Sequence, residues 1–222
     1  MRKIVIFSIF LLFIINNIMA QENSRPSHHL EDGTFTNTTG ISNNKSYKEI
    51  YKWVTDKNRN KPTPYDFKIV SPNFDLINHV NKSKNVTWIG HATFLYQNQE
   101  LNILTDPHLT LRASPFSFAG PKRYTPPGMN FDQLPNIDVI TISHNHYDHL
   151  DIKTVKRIAK DNPEAIFLVP LGLKKWFLNQ SIHNVVELDW WEEYIVEGTT
   201  ITFTPVQHWS SRTLFDRNKS LW

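Results

Sequence analysis

From Val86 onward the chain alternates between short apolar runs and polar turns. The stretch "VTWIGHATFLYQ" (86–97) predicts a strand, "NQE" a turn and "LNILTDP" (101–107) a second strand, which together form a hairpin. The mostly apolar run "IDVITIS" (137–143) predicts a strand buried on both faces. Further along, the stretch "DIKTVKRIAKD" (151–161) carries apolar residues at helical spacing and predicts a helix that ends at "NPE".

The same alternation continues towards the end of the sequence. It predicts a strand, a short helix and a strand at "AIFLVP" (165–170), "LGLKKWFLNQ" (171–180) and "NVVELDWW" (184–191). A hairpin around Glu197 and Gly198 follows, with His208 at the end of its second strand. The stretch "ASPFSFAGPKRYTPPG" (113–128) predicts a long loop of the kind that often lies over a site. Because strands alternate with helices, the predicted class is α/β or α+β with extensive sheet.

The beginning of the chain has a different pattern. Arg2 and Lys3 precede a twelve-residue apolar run (4–15), and Ala20 stands where a signal peptide would be cleaved. Residues 1–20 therefore predict a signal peptide and an exported protein, periplasmic or secreted. A membrane span needs roughly 20 apolar residues. An uncleaved anchor, which would leave the protein membrane-associated, stays as the alternative.

Residues 21–46 are polar and without periodicity, which predicts a flexible lead-in, and "YKEIYKWV" (47–54) predicts a short helix. We assign 47–222 to one domain. The formal charge of +3 is scattered, and the lack of a basic block argues against a nucleic-acid partner. The sequence contains no cysteine, so any metal must be held by His, Asp or Glu.

The stretch "ISHNHYDHLD" follows directly after the buried strand and carries three histidines and two aspartates. In an extended segment the side chains of residues i and i+2 point the same way, so His144 and His146 can reach one ion. Asp148 and His149 can face a second ion close by. Imidazole and carboxylate ligands without sulfur suit Zn²⁺, Mn²⁺ or Fe in a catalytic site.

Other residues extend this cluster. His208 is the expected third imidazole of the first ion, and Asp106 is placed to accept a hydrogen bond from a ligating imidazole. The alternative for Asp106 is a simple turn aspartate. His91 lies near the site or is a strand histidine, and His108 is more weakly placed. The remaining histidines are interpreted as surface residues: His28, His29, His79 and His183.

Two ions about 3.5–4 Å apart can share a bridging hydroxide, which is a nucleophile at neutral pH. That arrangement predicts hydrolysis of an ester, amide, lactam or phosphodiester. Ser143 stands beside His144, but it lacks the glycines of a nucleophile elbow, so no serine–histidine–acid pattern competes.

The stretch "HNHYDHLD" resembles the metallo-β-lactamase superfamily, whose hallmark is H-x-H-x-D-H. Together with "TWIGHATFL", "ELDWWEE" and "TPVQHWSSR", it is similar to the N-acyl-phosphatidylethanolamine-hydrolysing phospholipase D branch, in unbroken order from Val86 to Trp222. The resemblance implies a four-layer αβ/βα sandwich with two zinc ions at the sheet edges. It also implies cleavage of an N-acylated phosphatidylethanolamine to an N-acylethanolamine and phosphatidic acid.

The resemblance assigns roles by position. His144, His146 and His208 would hold the first zinc, and Asp148 and His149 would contribute to the second. Asp148 would also orient the attacking hydroxide, which makes it the catalytic residue. Arg212 lies in a matching motif, where it could pair with a substrate phosphate or be a solvated surface arginine.

The sequence departs from the family pattern after "SLW". There the family continues with a bridging aspartate in a "GDTG" type turn and a last histidine, and neither occurs up to Trp222. We therefore expect a domain truncated at its C-terminal end, the second half of the sandwich missing, with one complete zinc site of two. The open sheet edge that results favours association, with a homodimer as the simplest form.

Three functions stay open at this point. The first is a zinc phosphodiesterase of phospholipase D type acting on a phospholipid or membrane-surface substrate. The second is a hydrolase of another ester, lactone, β-lactam or phosphodiester, since fold and metal do not fix the substrate. The third is a non-catalytic remnant that binds one metal or none. Lipid turnover without lactam turnover would separate the first two, and metal stoichiometry would identify the third.

Overall fold

The computed structural model describes residues 26–41, 45–56, 68, 70–79, 84–98 and 101–222. The predicted signal peptide therefore lies outside the described residues. Within these ranges no helix is long and apolar enough to cross a membrane. The described elements confirm the mixed α/β class.

The elements follow one another in the predicted alternation. In chain order they are α1 (Tyr47–Thr55), α2 (Phe74–Asn78), β1 (Asn85–Gly90), β2 (Thr93–Gln97), β3 (Asn102–Thr105), a 3₁₀ turn (Phe131–Gln133), β4 (Val139–Thr141), α3 (Ile152–Asp161), β5 (Ile166–Pro170), α4 (Lys174–Leu178), β6 (Val185–Leu188), β7 (Glu193–Val196) and β8 (Thr199–Thr202).

One six-stranded sheet organises the molecule. Its strands lie in sequence order from β1 to β6, and β7 and β8 form a separate hairpin. The pairs β1–β2 and β2–β3 are antiparallel, whereas β3, β4, β5 and β6 run parallel to one another. The carboxyl ends of these four parallel strands therefore meet at one edge, where sites form in open sheets.

Both faces of the parallel strands are covered, as their apolar sequences require. On one face Ile140 and Phe167 pack with Val155 of α3 and Phe177 of α4. On the other face a second cluster joins the sheet to the β7–β8 hairpin: Ile103, Val139, Leu168 and Leu188 with Tyr194, Val196 and Ile201. The described residues thus form three of the four layers that the resemblance implies.

The first predicted strand is in fact two strands. The chain turns at His91, whose φ of 52° is left-handed, and β2 then pairs antiparallel with β1. Gly90 precedes the turn with a φ of 139°, and a Cβ there would lie 2.6 Å from the guanidinium of Arg123. No run of polar residues separates the two strands, so the alternation in sequence does not mark the turn.

The prediction that His208 ends a strand is also wrong. Strand β8 ends at Thr202, and residues 203–209 form neither strand nor helix. The apolar residues after Thr202 pack without pairing: Phe203 contacts the clusters formed by the hairpin and by Trp222. His208 therefore reaches the sheet edge on a loop.

The N-terminal segment, residues 26–41, is packed on the domain and is not the predicted flexible lead-in. Phe35 is buried with Trp190 and Trp222 in a small apolar cluster. His28 is only 8% exposed, so its interpretation as a surface residue is wrong. Composition did not reveal this packing because the segment is anchored mainly by polar side chains, which carry no periodic signal.

Candidate metal centre

The candidate centre lies at the carboxyl edge of the parallel strands. Asp106 directly follows β3, and the histidine-rich stretch follows β4; the last residues of these strands, Thr105 and Thr141, are register partners. Asp106 has a left-handed φ of 38°, and its N–H donates to the Thr141 carbonyl at 2.8 Å. This turn directs the Asp106 carboxylate towards the residues after β4.

Three histidines converge in what we call the three-histidine group: His144, His146 and His208. The distances between their ring nitrogens are 2.8 Å from His144 Nε2 to His146 Nδ1 and 3.1 Å from His208 Nε2 to His144 Nε2. The third side, from His208 Nε2 to His146 Nδ1, is 3.2 Å. The nitrogen of His146 that faces the other two rings is thus Nδ1. Its Nε2 is buried and has no hydrogen-bond partner among the described residues.

Ser143 and Asp106 determine which nitrogen of His144 carries the proton. The Ser143 hydroxyl lies 2.7 Å from Asp106 Oδ2 and 2.9 Å from His144 Nδ1. A carboxylate only accepts, so the single hydroxyl proton goes to Asp106 and the serine oxygen accepts from His144 Nδ1–H. His144 Nε2 is then unprotonated, and its lone pair faces the centre of the three-histidine group.

The same carboxylate orients His149. Its Nδ1–H donates to Asp106 Oδ2 at 2.8 Å, and the Ser143 N–H donates to Asp106 Oδ1 at 2.7 Å. Outer hydrogen bonds of this kind fix the ring orientation and raise the basicity of a ligating imidazole. His149 Nε2 is therefore directed away from Asp106 and towards Asp148.

The three-histidine group has a low affinity for protons. Burial, reinforced by the neighbouring imidazoles, lowers the pKa of His144 to about 2 and the pKa of His146 to about 4. Burial and the charge of His149 also lower the pKa of His208. These rings are therefore neutral at pH 7, the state in which imidazole binds metal.

A second group adjoins the first and consists of His91, Asp148 and His149. His91 Nε2 donates to Asp148 Oδ2 at 2.8 Å, and His149 Nε2 lies 3.5 Å from the same oxygen. Burial raises the pKa of Asp148, but the charge of His149 and hydrogen bonds including that from His91 bring it below its usual range. Of the two alternatives for His91, the structure supports proximity to the site.

His149 differs from the other imidazoles in its electrostatics. Burial lowers the pKa of His149, but its hydrogen bond to Asp106 and the charges of Asp106 and Asp148 outweigh that effect and raise it. The second group thus combines one carboxylate with imidazoles under negative potential, which favours a cation.

Arg212 stabilises the backbone around the site. Its Nη1 donates to the carbonyls of Asn145 and Leu150 at 2.8 and 2.7 Å. Its guanidinium lies over the rings of Tyr147 and Trp176, at 4.1 and 5.1 Å. Arg212 is therefore not a solvated surface residue; it fixes the backbone of the histidine-rich stretch.

An open cavity of about 720 Å³ adjoins both groups. The predicted long loop forms one wall with Lys122, Arg123 and Tyr124, and the opposite side includes His146 and Asp148. The positive charges of this wall would attract an anionic substrate.

The structure brings all the sequence-predicted site residues to one edge of the sheet. Two positioning groups were not predicted from the sequence. Ser143 was considered only as a nucleophile, and Asn37, whose amide bonds to the backbone of His208, was not singled out. A serine between a buried strand and a histidine of the predicted metal site was the available signal for Ser143; Asn37 had none in the sequence.

Comparison with known proteins gives the family context. A family model described as a β-lactamase superfamily domain matches residues 101–222, which is more than half of the chain. The N-acyl-phosphatidylethanolamine-hydrolyzing phospholipase D 1 of Caenorhabditis elegans is 41% identical over 204 residues. That alignment covers 85% of this chain and 56% of the relative.

A second similar relative is the mitochondrial N-acyl-phosphatidylethanolamine-hydrolyzing phospholipase D of Saccharomyces cerevisiae. It is 38% identical over 148 residues, covering 61% of this chain and 30% of the relative. The chain thus spans about half or less of these relatives' length. Among solved structures, an isothiocyanate hydrolase from Delia radicum gut bacteria is 22% identical with a TM-score of 0.43, covering 53% of this chain and 46% of that one.

Proposed function

The chain belongs to the metallo-β-lactamase superfamily, and from that premise we propose a zinc-dependent hydrolase of phospholipase D type. Its proposed substrate is an N-acyl-phosphatidylethanolamine, and its products are an N-acylethanolamine and phosphatidic acid. The observation that carries this proposal is the convergence of one ring nitrogen from each of three imidazoles beside Asp148. The substrate class is supported by similarity to the two phospholipases D.

The three-histidine group fits a zinc ion. Two nitrogens bound to one tetrahedral zinc lie about 3.3 Å apart, given Zn–N bonds of about 2.0–2.1 Å. The distances of 2.8 to 3.2 Å here approach that value, and small outward movements would complete it. Three imidazoles with an open fourth position are typical of catalytic zinc. Asp148 and His149, with His91 beside them, would hold a second ion.

A bound zinc ion would act as a Lewis acid and lower the pKa of a water molecule. The protein's own contribution is orientation. Asp148 is 39% exposed at the cavity, and the hydrogen bond from His91 fixes its carboxylate, so that it can orient the attacking water. In the reaction the water oxygen bonds to phosphorus, and the bond from phosphorus to the ethanolamine oxygen breaks. The leaving oxygen takes up the proton that the water releases.

We also propose that the protein is exported and acts at a membrane surface. Phe116, Phe118 and Tyr124 are exposed on the long loop that borders the cavity, and Leu111 is exposed just before it. These side chains could enter the lipid interface while the headgroup reaches the cavity.

We propose that the protein assembles as a homodimer, because Val86 and Trp88 are exposed on edge strand β1. Sedimentation velocity of the purified chain measures its oligomeric state.

The proposal is tested by metal content and hydrolysis measured on the same preparations. Zinc per chain is measured by elemental analysis after dialysis, and hydrolysis is measured with N-acyl-phosphatidylethanolamine vesicles, a β-lactam and a lactone. We expect bound zinc and lipid hydrolysis without lactam or lactone turnover. His208→Ala should lose both zinc and activity, because it removes one of three ligands.

His183→Ala is the matched control, since His183 is exposed and belongs to neither of the two groups that we assign to metal binding. It should keep both zinc and activity. Turnover of the lactam or lactone with no lipid hydrolysis would replace the phospholipase proposal with the broader hydrolase. Zinc without any turnover would favour a non-catalytic metal-binding protein, and a chain without zinc would contradict the proposal altogether.

A further inference from the structure

Asn37 is bound to the backbone of the metal-binding residue His208. Its Nδ2 donates to the carbonyl of His208 at 3.0 Å, and its Oδ1 accepts from the N–H of His208 at 3.0 Å. The other two hydrogen bonds join Nδ2 to the Ile41 carbonyl at 3.1 Å and Oδ1 to Trp222 Nε1 at 3.0 Å. An amide offers two donors and two acceptor positions, so Asn37 is fully satisfied although only 6% exposed.

The chemistry of these partners fixes the orientation of the amide. An N–H can only donate and a carbonyl can only accept, so the Asn37 oxygen must face the N–H of His208 and its nitrogen the carbonyl. The side chain thereby makes the pair of hydrogen bonds that a neighbouring strand would otherwise make. That pair is needed because β8 ends at Thr202, six residues before His208.

We propose that Asn37 is a positioning residue that sets the geometry of the three-histidine group by fixing the backbone of His208. The N-terminal segment, and not the sheet, thus determines how tightly the third imidazole binds metal. This inference rests on the metal-binding part of the proposed function and is independent of which substrate is hydrolysed.

The same segment has a second anchor away from the metal centre. His28 Nε2 and His29 Nε2 donate to the two oxygens of Asp189 at 2.6 and 2.7 Å. Each of these contacts joins an imidazole N–H to a carboxylate oxygen at hydrogen-bond distance, whereas the contacts within the three-histidine group join nitrogen to nitrogen. The ring of His28 also lies 4.4 Å from that of Trp190. This anchor holds the segment without contacting the backbone of His208.

Variants of the two anchors distinguish two effects. One is the local positioning of His208 by Asn37, and the other is the docking of the whole N-terminal segment on the domain. Asn37→Asp keeps the shape of the side chain but places a second carboxylate oxygen against the His208 carbonyl, where a donor is needed. Asp189→Asn loosens the distant anchor and leaves the contacts of Asn37 in place. Asn37→Ser is a smaller change that keeps the test available if Asn37→Asp does not fold.

The test measures zinc affinity by competition with a chromophoric chelator, together with the visible spectrum of the Co²⁺-loaded chain. Thermal unfolding of each metal-free variant is recorded in parallel. We expect Asn37→Asp to weaken zinc binding by about tenfold or more, as loss of an outer hydrogen bond to a metal ligand does, and to change the Co²⁺ spectrum. Asn37→Ser should show a smaller loss. Asp189→Asn should lower the unfolding temperature yet keep zinc affinity within about twofold of the unsubstituted chain.

Equal zinc affinity in the Asn37 variants and the unsubstituted chain would overturn the inference while leaving the proposed function standing. An Asp189→Asn variant that binds zinc as weakly as Asn37→Asp would also overturn it, because docking alone would then explain the effect. An unsubstituted chain that binds no zinc would refute both proposals. The lipid assay plays no part in this test, so failure of the substrate proposal is distinguishable.

Discussion

At the scale of single residues, the chemistry of the centre depends on where one hydroxyl proton lies. Ser143 donates to Asp106 and accepts from His144, and this order leaves His144 Nε2 free for a metal. The presence of a histidine at position 144 would not by itself leave Nε2 unprotonated, since an imidazole in water exchanges freely between its two tautomers. Asp106 thus acts on the three-histidine group through Ser143 and on His149 directly.

Ser143→Ala tests this relay. The substitution leaves His144 Nδ1–H without its acceptor, so the ring can protonate on Nε2 or turn away. We expect zinc affinity to fall by about tenfold, because outer hydrogen bonds of metal ligands have effects of that size. Isothermal titration calorimetry of the metal-free chain with zinc measures this affinity.

Ser117→Ala is the control, since Ser117 is exposed on the long loop. It should bind zinc as the unsubstituted chain does. If Ser143→Ala also kept full affinity, the proton order described here would not matter for metal binding.

At the scale of elements, Asp151 connects helix α3 to the rest of the site. Its Oδ1 accepts from the Lys153 N–H at 3.1 Å, which caps the helix. Its Oδ2 accepts from Thr154 Oγ1 at 2.7 Å and from the Thr110 N–H at 3.2 Å, which holds the segment that leads into the long loop. The last residue of the histidine-rich stretch therefore both begins a helix and holds a loop.

We predict that Asp151→Ala lowers the free energy of unfolding by about 2 kcal/mol, because it removes a helix cap and leaves buried donors unpaired. Urea unfolding of the metal-free chain measures the change. Asp161→Ala, at the exposed end of the same helix, removes only a surface pair with Arg157 and should have a much smaller effect. Equal losses in the two variants would show that the hydrogen bonds of Asp151 stabilise the fold no more than a surface ion pair does.

The sequence predicted the strands and helices well where hydrophobic periodicity alone decides them. Strands β4 and β5 and helix α3 follow from burial on both faces or on one helical face. The turn at His91 was not predictable in this way, because its left-handed backbone has no Asn-Gly or Asp-Gly pair to announce it. Likewise, the placement of His208 depends on a side chain distant in sequence, and periodicity has no access to such contacts.

At the scale of the whole molecule, two exposed aromatic rings lie side by side on the long loop. Phe116 and Phe118 are 56% and 80% exposed, and their ring centroids lie 5.5 Å apart on the long loop. Two such rings, on the loop whose residues Lys122 and Arg123 form a wall of the cavity, fit our proposal that the protein works on lipid at an interface. The basic residues Lys122 and Arg123 lie on the same loop.

We predict that Phe116→Ser with Phe118→Ser weakens binding to phospholipid vesicles by about tenfold or more, since even partial burial of two rings contributes over 1 kcal/mol. Co-sedimentation measures the bound fraction. The matched control is Leu76→Ser with Ile195→Ser, which removes two exposed apolar side chains from α2 and β7. Similar losses in both double variants would mean that the loop has no special contact with the membrane.

The contact between Asn37 and His208 joins residues 171 positions apart. Closing so long a stretch of chain costs conformational entropy before the contact returns any stability, and contacts of this separation slow folding. His144 and His146, in contrast, are neighbours as soon as β4 is formed. We therefore expect a partly folded chain to bring two imidazoles together early. It would reach full affinity for a metal ion only after Asn37 and His208 have come into contact.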